Sequence, residues 1–284
     1  MAKILALDLD GTLFYPKGRK HLVPLKNVEF LQKFIDSGNK VVLVTSRDPA
    51  FIERVIKCVG RDMDYIAFSG AVVKIDGQIV KDIHMDNEEL KTILEAIRLK
   101  YKPIGYFLTS DKPPIIVSPF IFLTKWLQKV YLSVYKLHLG QYMEEIVVSK
   151  DEFYAKLDSA IVYAVKGFFG LGKKTRKSNA EINKAIREKY PSIESSWMGI
   201  VLEFAPKGCN KGESLTNYID TIKANHDDVY VVGDSGNDIS MFNAFHSHSF
   251  VMKHAYPSVK KYAKHKISRV YKLEKYLFER SKNE

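Results

Sequence analysis

Hydrophobic and polar positions follow two alternating patterns along the chain. The first is a short run of consecutive apolar residues, which is typical of a strand buried on both faces of a parallel sheet. One such run begins at residue 3 and ends at Asp8 and Asp10. The other runs that we interpret as strands of the same sheet are residues 40–46, 65–69, 229–232 and 250–252.

The second pattern is the recurrence of apolar residues at helical spacing, which indicates amphipathic helices. These helices fall between the predicted strands, at residues 25–35, 49–59, 211–224 and from Asp238 onward. Strands that alternate with helices in this way form a parallel sheet with right-handed crossovers. Two short β runs around Asp76-Gly77 follow the third predicted strand, and this pair indicates a hairpin at residues 71–80.

The pattern changes between residues 83 and 205. Here it predicts helices at 87–99 and 179–189, strands at 105–109, 159–165 and 201–204, and an extended segment at 113–118. A mixed α+β segment inserted in a regular α/β chain indicates a second domain. We therefore predict an α/β fold in which residues 1–82 and 206–284 form the core, with two basic helices at its end, and residues 83–205 form an α+β domain.

The composition is that of an ordinary globular protein. Of the 284 residues, 46% are apolar and 27% are charged, so disorder is not indicated. The two cysteines, Cys58 and Cys209, are too few for a disulfide framework or a tetrahedral metal site. A reducing, cytoplasmic location is the expectation.

Neither a signal peptide nor a membrane span is expected. Asp8 and Asp10 interrupt the first apolar run too early for a signal-peptide core. A later apolar stretch, residues 119–139, is broken by polar side chains and falls short of a clean span of about 20 apolar residues. These side chains are Lys125, Gln128, Lys129 and Lys136.

The net charge of +11 is concentrated near the carboxyl terminus, where residues 250–284 hold ten Lys or Arg and three Glu. Such a run occurs in nucleic-acid-binding and membrane-binding patches. Aromatic residues are not regularly interleaved with these charges, and a solvated helical face is the more usual outcome, so nucleic-acid binding is not favoured. A positive field also suits an enzyme that attracts phosphate dianions.

Candidate chemistry appears where the first strand ends. Asp8 and Asp10 lie on the same side if the strand persists, because side chains alternate, and Gly11 permits a turn directly afterwards. Two like charges at this distance repel each other, and a hard, oxygen-liganded cation such as Mg²⁺ would relieve the repulsion. The alternative is a polar turn in which an aspartate acts as a helix cap.

Four segments, in order, resemble the motifs of the haloacid dehalogenase superfamily of phosphohydrolases. They are Asp8-Leu9-Asp10-Gly11-Thr12-Leu13, a strand that ends at Thr45-Ser46-Arg47, a segment around Lys211, and Gly233-Asp234-Ser235-Gly236-Asn237-Asp238. The long gap between the second and third motifs resembles the Cof-type branch. This resemblance implies a Rossmann-like parallel-sheet core with an inserted α+β cap domain that governs substrate specificity.

The resemblance also implies a role for each residue of the motifs. The implied catalytic residues are Asp8 as nucleophile, Asp10 as general acid and base, and Lys211. The implied Mg²⁺ ligands are Asp8, Asp10 through its backbone carbonyl, Asp234 and Asp238, the last of which holds metal-bound water or the lysine. The candidates for substrate binding are Thr45, Ser46, Arg47 and Asn237, although Thr45 is also an ordinary strand residue, Arg47 an ordinary surface residue and Asn237 an ordinary helix cap.

The function expected from these motifs is magnesium-dependent hydrolysis of small phosphorylated metabolites, such as sugar phosphates or a phosphorylated cofactor, through an aspartyl-phosphate. A sugar phosphomutase on the same scaffold is one alternative. A non-catalytic protein that binds nucleic acid or a partner through its basic carboxyl terminus is another. The sequence does not specify the oligomeric state.

Three segments depart from known patterns. Ser69-Gly70-Ala71 stands where many relatives have Asn-Gly, and Lys253-His254 replaces the usual Gly-Asn, which puts specificity in doubt rather than activity. Residues 167–175 have the glycine and lysine spacing of a P-loop, but Lys174 stands where a Ser or Thr is required. We therefore expect a glycine-rich loop of the cap domain rather than a nucleotide site.

Overall fold

The computed structural model describes residues 2–16, 21–112, 115–118, 146–169, 173–198 and 200–278. The chain divides into two compact units, one formed by Met1–Asp82 with Asn210–Glu284 and the other by Ile83–Cys209. The sequence predicts domain boundaries after residues 82 and 205. Each unit has its own sheet and its own hydrophobic core.

The strands of the described residues, in chain order, are β1 (Ile4–Leu7), β2 (Lys40–Val44), β3 (Asp64–Ala67), β4 (Val72–Ile75), β5 (Gln78–Asp82), β6 (Gly105–Ser110), β7 (Ile115–Val117), β8 (Ile146–Val148), β9 (Val162–Phe168), β10 (Ile193–Met198), β11 (Val201–Pro206), β12 (Val229–Gly233), β13 (Ser249–Met252) and β14 (His265–Ile267). The helices are α1 (Leu25–Asp36), α2 (Pro49–Val59), α3 (Asn87–Tyr101), α4 (Lys150–Ser159), α5 (Lys173–Lys189), α6 (Lys211–Thr221), α7 (Ile239–Ala244), α8 (Pro257–Lys260) and α9 (Glu274–Leu277).

The first unit is built on an eight-stranded sheet in the order β14-β13-β12-β1-β2-β3-β4-β5. The six strands from β14 to β3 are parallel, and the β4–β5 hairpin is added antiparallel at one edge. At the centre, Leu7 of β1 pairs with Val232 of β12 and Leu43 of β2. This sheet confirms the predicted α/β fold with a parallel-dominated core.

The strand order places β1 at the point where the chain changes direction across the sheet. From β1 the chain proceeds to β2 and β3 on one side, and it later returns to β12 on the other side. Ligands of open α/β sheets bind at such a point, beyond the carboxyl ends of the strands. The loops after β1, β2 and β12 therefore lie together beyond the carboxyl ends of the central strands.

Helices α6 and α7 cover one face of this sheet next to these loops. Leu215 and Ile219 of α6, with Met241 and Phe242 of α7, belong to one buried cluster together with residues of β1, β2 and β12. A side chain at Gly212 would overlap the backbone of Ser240, so the glycine permits the close approach of the two helices. This packing holds the amino end of α6 near the carboxyl ends of the strands.

The second unit has a six-stranded sheet in the order β10-β11-β9-β6-β7-β8, antiparallel except for the β7–β8 pair. Its core contains Leu90, Ile93, Leu94 and Ile97 of α3, packed with Phe153 of α4 and with sheet residues. The hydroxyl of Tyr106, on β6, donates a hydrogen bond of 3.0 Å to the carbonyl of Leu94. The unit is thus an α+β arrangement.

The structure differs from the sequence-based elements in several places. Strands β8, β10 and β14 were not predicted. The expectation of two basic helices at the end of the core was incomplete, since β14 lies between the short helices α8 and α9. Of the predicted glycine-rich loop, Gly167 lies inside β9, whereas residues 170–172 fall outside the described part. The apolar stretch 119–139 also falls outside it. Among the described residues, none of the helices has the length and apolar character that crossing a membrane requires.

Candidate active site

Asp8 is the first residue after β1, so it lies at the carboxyl end of a central strand of the sheet. Its backbone N–H donates to the carbonyl of Val232 at 3.0 Å, and the residue is only 5% exposed. A wide helical turn, Leu9–Leu13, follows. Gly11 within this turn has φ +80°, and a side chain there would overlap the carboxylate of Asp234. Glycine is therefore required for Asp234, from the β12 loop, to lie against the β1 loop.

Lys211 begins helix α6 and is almost completely buried. Asn210 caps the helix by accepting a 2.9 Å hydrogen bond from the backbone N–H of Glu213. The Lys211 ammonium donates to Oδ1 of Asp8 and to Oδ1 of Asp238, both at 2.6 Å. Burial alone would lower the pKa of Lys211, but the two carboxylates outweigh it and raise that pKa above its usual value. Lys211 is therefore a fixed positive charge beside Asp8.

Asp238 is fully buried, and its second oxygen orders the loop after β12. Oδ2 of Asp238 accepts from the backbone N–H groups of Asp234 and Ser235, each at 2.9 Å. A side chain at Gly233 would overlap the Asp238 carboxyl group, so this glycine leaves room for it. Asp238 thus connects Lys211 to the backbone of Asp234.

Carboxylate oxygens of Asp8, Asp234 and Asp238 lie within 4.8 Å of one another. Oδ2 of Asp8 and Oδ1 of Asp234 are buried, and neither has a hydrogen-bond partner among the described residues. Buried carboxylate oxygens normally have partners, and a cluster of oxygen ligands suits Mg²⁺. The residues present therefore fit a hard divalent cation.

The pKa values of two of these carboxylates reflect the crowding. Burial, reinforced by the negative charge of Asp238, raises the pKa of Asp234 to about 7. Burial also raises the pKa of Asp8 well above its ordinary value, and the opposing effect of Lys211 does not cancel it. A divalent cation would offset both penalties by stabilising the ionised forms.

Asp10 is paired with Arg47, which the sequence had not indicated. Nε and Nη2 of Arg47 donate to the two oxygens of Asp10 at 2.6 and 2.8 Å, a two-point contact. The Arg47 guanidinium also lies 4.0 Å from the centre of the Phe51 ring. Arg47 is therefore held between α2 and the β1 loop, with the partly exposed Asp10 carboxylate as its partner.

The other predicted substrate-binding residues also lie beyond the carboxyl ends of the central strands. Thr45 follows β2 and is buried, and its Oγ1 accepts from the backbone N–H of Arg47 at 3.2 Å. Ser46 lies between these two residues. Asn237 is buried in the β12 loop, where its Oδ1 accepts from the hydroxyl of Ser235 at 2.6 Å. All the predicted site residues thus belong to the loops after β1, β2 and β12 or to the start of α6.

Sequence reasoning missed one residue beside the cluster, His254. Its Nε2 lies 3.7 Å from Oδ2 of Asp234, and its ring packs at a tilt against that of Tyr15. Partial burial lowers the pKa of His254, and a hydrogen bond to the backbone of Gly11 opposes this. The available signal was the departure from Gly-Asn at Lys253-His254, which pointed to specificity rather than to the acidic cluster.

The parallel-dominated sheet and the acidic cluster beyond the carboxyl ends of its strands define the chain as an α/β protein with a candidate site for a divalent cation. The sequence model of the haloacid dehalogenase-like hydrolase family matches residues 5–272. The chain therefore belongs to this family. The predicted family and the predicted enzyme class, a phosphoric monoester hydrolase, are confirmed.

Individual relatives are distant but cover nearly the whole chain. The 5-amino-6-(5-phospho-D-ribitylamino)uracil phosphatase YwtE of Bacillus subtilis is 22% identical, over 91% of this chain and 90% of its own. An HMP-PP phosphatase of Shigella flexneri is also 22% identical, over 92% and 87%. The solved structure of the subclass IIB sugar phosphatase BT4131 superposes with a TM-score of 0.71 at 20% identity, covering 97% of this chain and 98% of that one.

Proposed function

We propose that this protein is a magnesium-dependent phosphatase that hydrolyses small phosphorylated metabolites through an aspartyl-phosphate on Asp8. The observation that carries the proposal is the environment of the Asp8 carboxylate. One of its oxygens is bound by the buried ammonium of Lys211, and the other is buried beside Asp234 without a hydrogen-bond partner among the described residues. The names of the two phosphatase relatives support a small phosphorylated substrate.

In the first step, a carboxylate oxygen of Asp8 attacks the phosphorus of the ester. A new O–P bond forms on Asp8, and the P–O bond to the leaving alcohol breaks. Asp10 donates a proton to the leaving oxygen. In the structure Asp10 is paired with Arg47 as a carboxylate, so Asp10 takes up a proton from water and leaves the two-point ion pair before this step. The Arg47 guanidinium is then free to bind phosphoryl oxygens.

In the second step, water attacks the phosphorus of the aspartyl-phosphate. Asp10, now ionised, accepts a proton from this water, and the O–P bond to Asp8 breaks. Inorganic phosphate leaves, and the Asp8 carboxylate is restored. Because Asp10 gives up a proton in the first step and regains one in the second, the cycle is balanced.

The remaining residues bind and orient the phosphoryl group. Lys211 neutralises charge on the group and holds Asp8 in place. Thr45, Ser46 and Asn237 offer hydroxyl, amide and backbone N–H groups to its oxygens. When bound, Mg²⁺ would stabilise negative charge on the phosphoryl oxygens. The residues that would hold it are Asp8, Asp234, the backbone carbonyl of Asp10 and, directly or through water, Asp238.

We further propose that the inserted domain, residues 83–205 by the sequence boundaries, is the cap that determines which leaving group is accepted. The phosphoryl-binding residues all belong to the first unit. They make contacts that any phosphate ester would share, so discrimination requires groups that reach the leaving portion.

The test is a panel of phosphorylated metabolites incubated with the protein and Mg²⁺, or with a chelator in place of the metal. We expect free phosphate to be released from at least one metabolite with Mg²⁺ and not with the chelator. An isomerised sugar phosphate without free phosphate would favour a phosphomutase instead. If no metabolite reacts and the protein binds nucleic acid with a steep salt dependence, the proposal is wrong.

A further inference from the structure

His254 lies in the loop that follows β13, two strands away from β1 in the sheet. Its ring lies against that of Tyr15, with the ring centres 3.9 Å apart and the ring planes tilted by 34°. Tyr15 belongs to the segment after β1, just beyond the turn that carries Asp10 and Gly11. The imidazole, from the β13 loop, thus contacts the segment that follows β1.

The same ring lies against the acidic cluster. Nε2 is 3.7 Å from Oδ2 of Asp234, which is a packing and electrostatic contact rather than a hydrogen bond. The backbone of Gly11 lies against the same Asp234 carboxylate, and its interaction with the His254 ring raises the pKa of that imidazole against the effect of burial. Asp234 is therefore confined by Gly11 and His254 together.

We propose that His254 is a positioning residue for the divalent cation, holding the Asp234 carboxylate and the turn after Asp10 in the arrangement that binds the metal. The inference rests on the proposed function, since it assigns His254 to the same metal. The Gly11 peptide follows directly on the carbonyl of Asp10, so an anchored Gly11 also restricts that carbonyl. Partners that orient metal ligands in this way typically contribute about 10- to 100-fold to metal affinity.

Tyr15 and Arg269 restrict the His254 ring in turn. The guanidinium of Arg269 lies 4.6 Å from the centre of the Tyr15 ring, a cation–π contact. The Tyr15 ring is thus held between His254, from the loop after β13, and Arg269, from the loop after β14. Replacing Tyr15 with Leu should therefore weaken metal binding in the same direction as replacing His254, but less.

The test uses the full-length protein without substrate. Mg²⁺ binding is measured by isothermal titration calorimetry for the wild type, His254→Ala and His254→Asn. His254→Ala should raise the Kd for Mg²⁺ about tenfold. His254→Asn retains a side-chain N–H for the Gly11 backbone and should remain within about threefold of the wild type. In turnover, saturating Mg²⁺ should restore most of the kcat of His254→Ala.

His248→Ala is the matched control. His248 packs on a tyrosine too, with its ring centre 4.3 Å from that of Tyr230. It precedes β13, however, and so lies at the amino end of that strand rather than at its carboxyl end. This variant should bind Mg²⁺ as the wild type does, even if its Tm falls. An unchanged Kd in His254→Ala beside a wild type that binds Mg²⁺ would overturn the inference alone. A wild type that binds no Mg²⁺ would overturn the metal-dependent function and this inference with it.

Discussion

Lys211 is a buried positive charge that two neighbouring carboxylates neutralise. A buried ammonium is unfavourable unless carboxylates compensate it, and Asp8 and Asp238 both do so at 2.6 Å. The arrangement is costly to break from either side, because removing the lysine leaves two buried carboxylates close together. Lys211 therefore contributes to stability as well as to the proposed binding of the phosphoryl group.

Lys211→Met should lower the free energy of unfolding by about 3 kcal/mol in the absence of metal, since two buried carboxylates lose their counter-charge. Turnover should be lost as well. The measurement is urea unfolding at neutral pH, and the control is Lys91→Met, which breaks an exposed ion pair with Asp158 in the other unit. The control should lose far less stability. Comparable losses in the two variants would mean that the Lys211 contacts do not stabilise the fold.

The sequence predicted some contacts of the site and not others, for a physical reason. Asp8, Lys211 and Asp238 belong to motifs with recognisable spacing, and the structure brings these three together. The Arg47–Asp10 ion pair and the position of His254 depend on how loops from different strands meet in space. Neither contact has a signature in residue spacing, so sequence reasoning left Arg47 between a substrate and a surface role.

At the scale of elements, the uninterrupted apolar runs and the strongly amphipathic helices were predictable, whereas the polar strand β10 and the three-residue strands β8 and β14 were not. β1, β2 and β12 are buried, nearly all-apolar runs, and α2 has a clear cap and apolar face. By contrast, β10 contains Glu194, Ser195 and Ser196, and β14 has three residues with an exposed Lys266 at its centre. Pairing with β11 and β13, respectively, makes these segments strands despite their composition.

In the second unit, one carboxylate links helices α3 and α4. Glu95 of α3 accepts a 2.6 Å hydrogen bond from the hydroxyl of Tyr154 of α4 and is also paired with Arg98 and Lys150. Partial burial raises the pKa of Glu95, but the hydrogen bonds from Tyr154, Arg98 and Lys150 outweigh it and lower the pKa to about 2. The ionised form is therefore the one that the fold stabilises.

Glu95→Gln should cost about 1 kcal/mol of unfolding free energy at neutral pH, a value that allows for solvent screening of this partly exposed group. A lowered folded-state pKa stabilises the fold above the unfolded value of 4.5, and this contribution is lost as the pH falls from there towards about 2. The difference between wild type and variant should thus shrink on acidification. Urea unfolding across this range checks it, with Glu88→Gln on the same helix as control. A difference that does not depend on pH would contradict the assignment.

The whole molecule combines two units with separate cores. The first unit contains every residue to which we assign phosphoryl binding or catalysis, and the chain leaves it after β5 and returns before α6. An insertion at this place resembles the cap of the Cof-type branch. We propose that this inserted unit determines which substrates the first unit hydrolyses.

Removing residues 83–205 and joining the ends with a short flexible linker should therefore affect two substrates differently. For the preferred metabolite, kcat/KM should fall at least about tenfold more than for a small generic phosphate ester, because the proposal assigns recognition of the metabolite's leaving portion to the inserted domain. Circular dichroism and thermal unfolding verify that the shortened protein folds. Equal proportional losses for both substrates in a folded variant would show that the insertion does not set specificity.

The central claim is that Asp8 carries the phosphoryl group during turnover. The direct measurement is mass spectrometry of the peptide that contains Asp8, after acid quenching of the enzyme with its preferred substrate and Mg²⁺. We expect a phosphoryl group on Asp8 in the wild type, and neither label nor turnover in Asp8→Asn. With an aryl phosphate, whose acidic leaving group needs no general acid, we expect more label in Asp10→Asn, where the attack of water lacks its base. Undiminished phosphate release by Asp8→Asn, with no label on the wild-type peptide, would contradict the account.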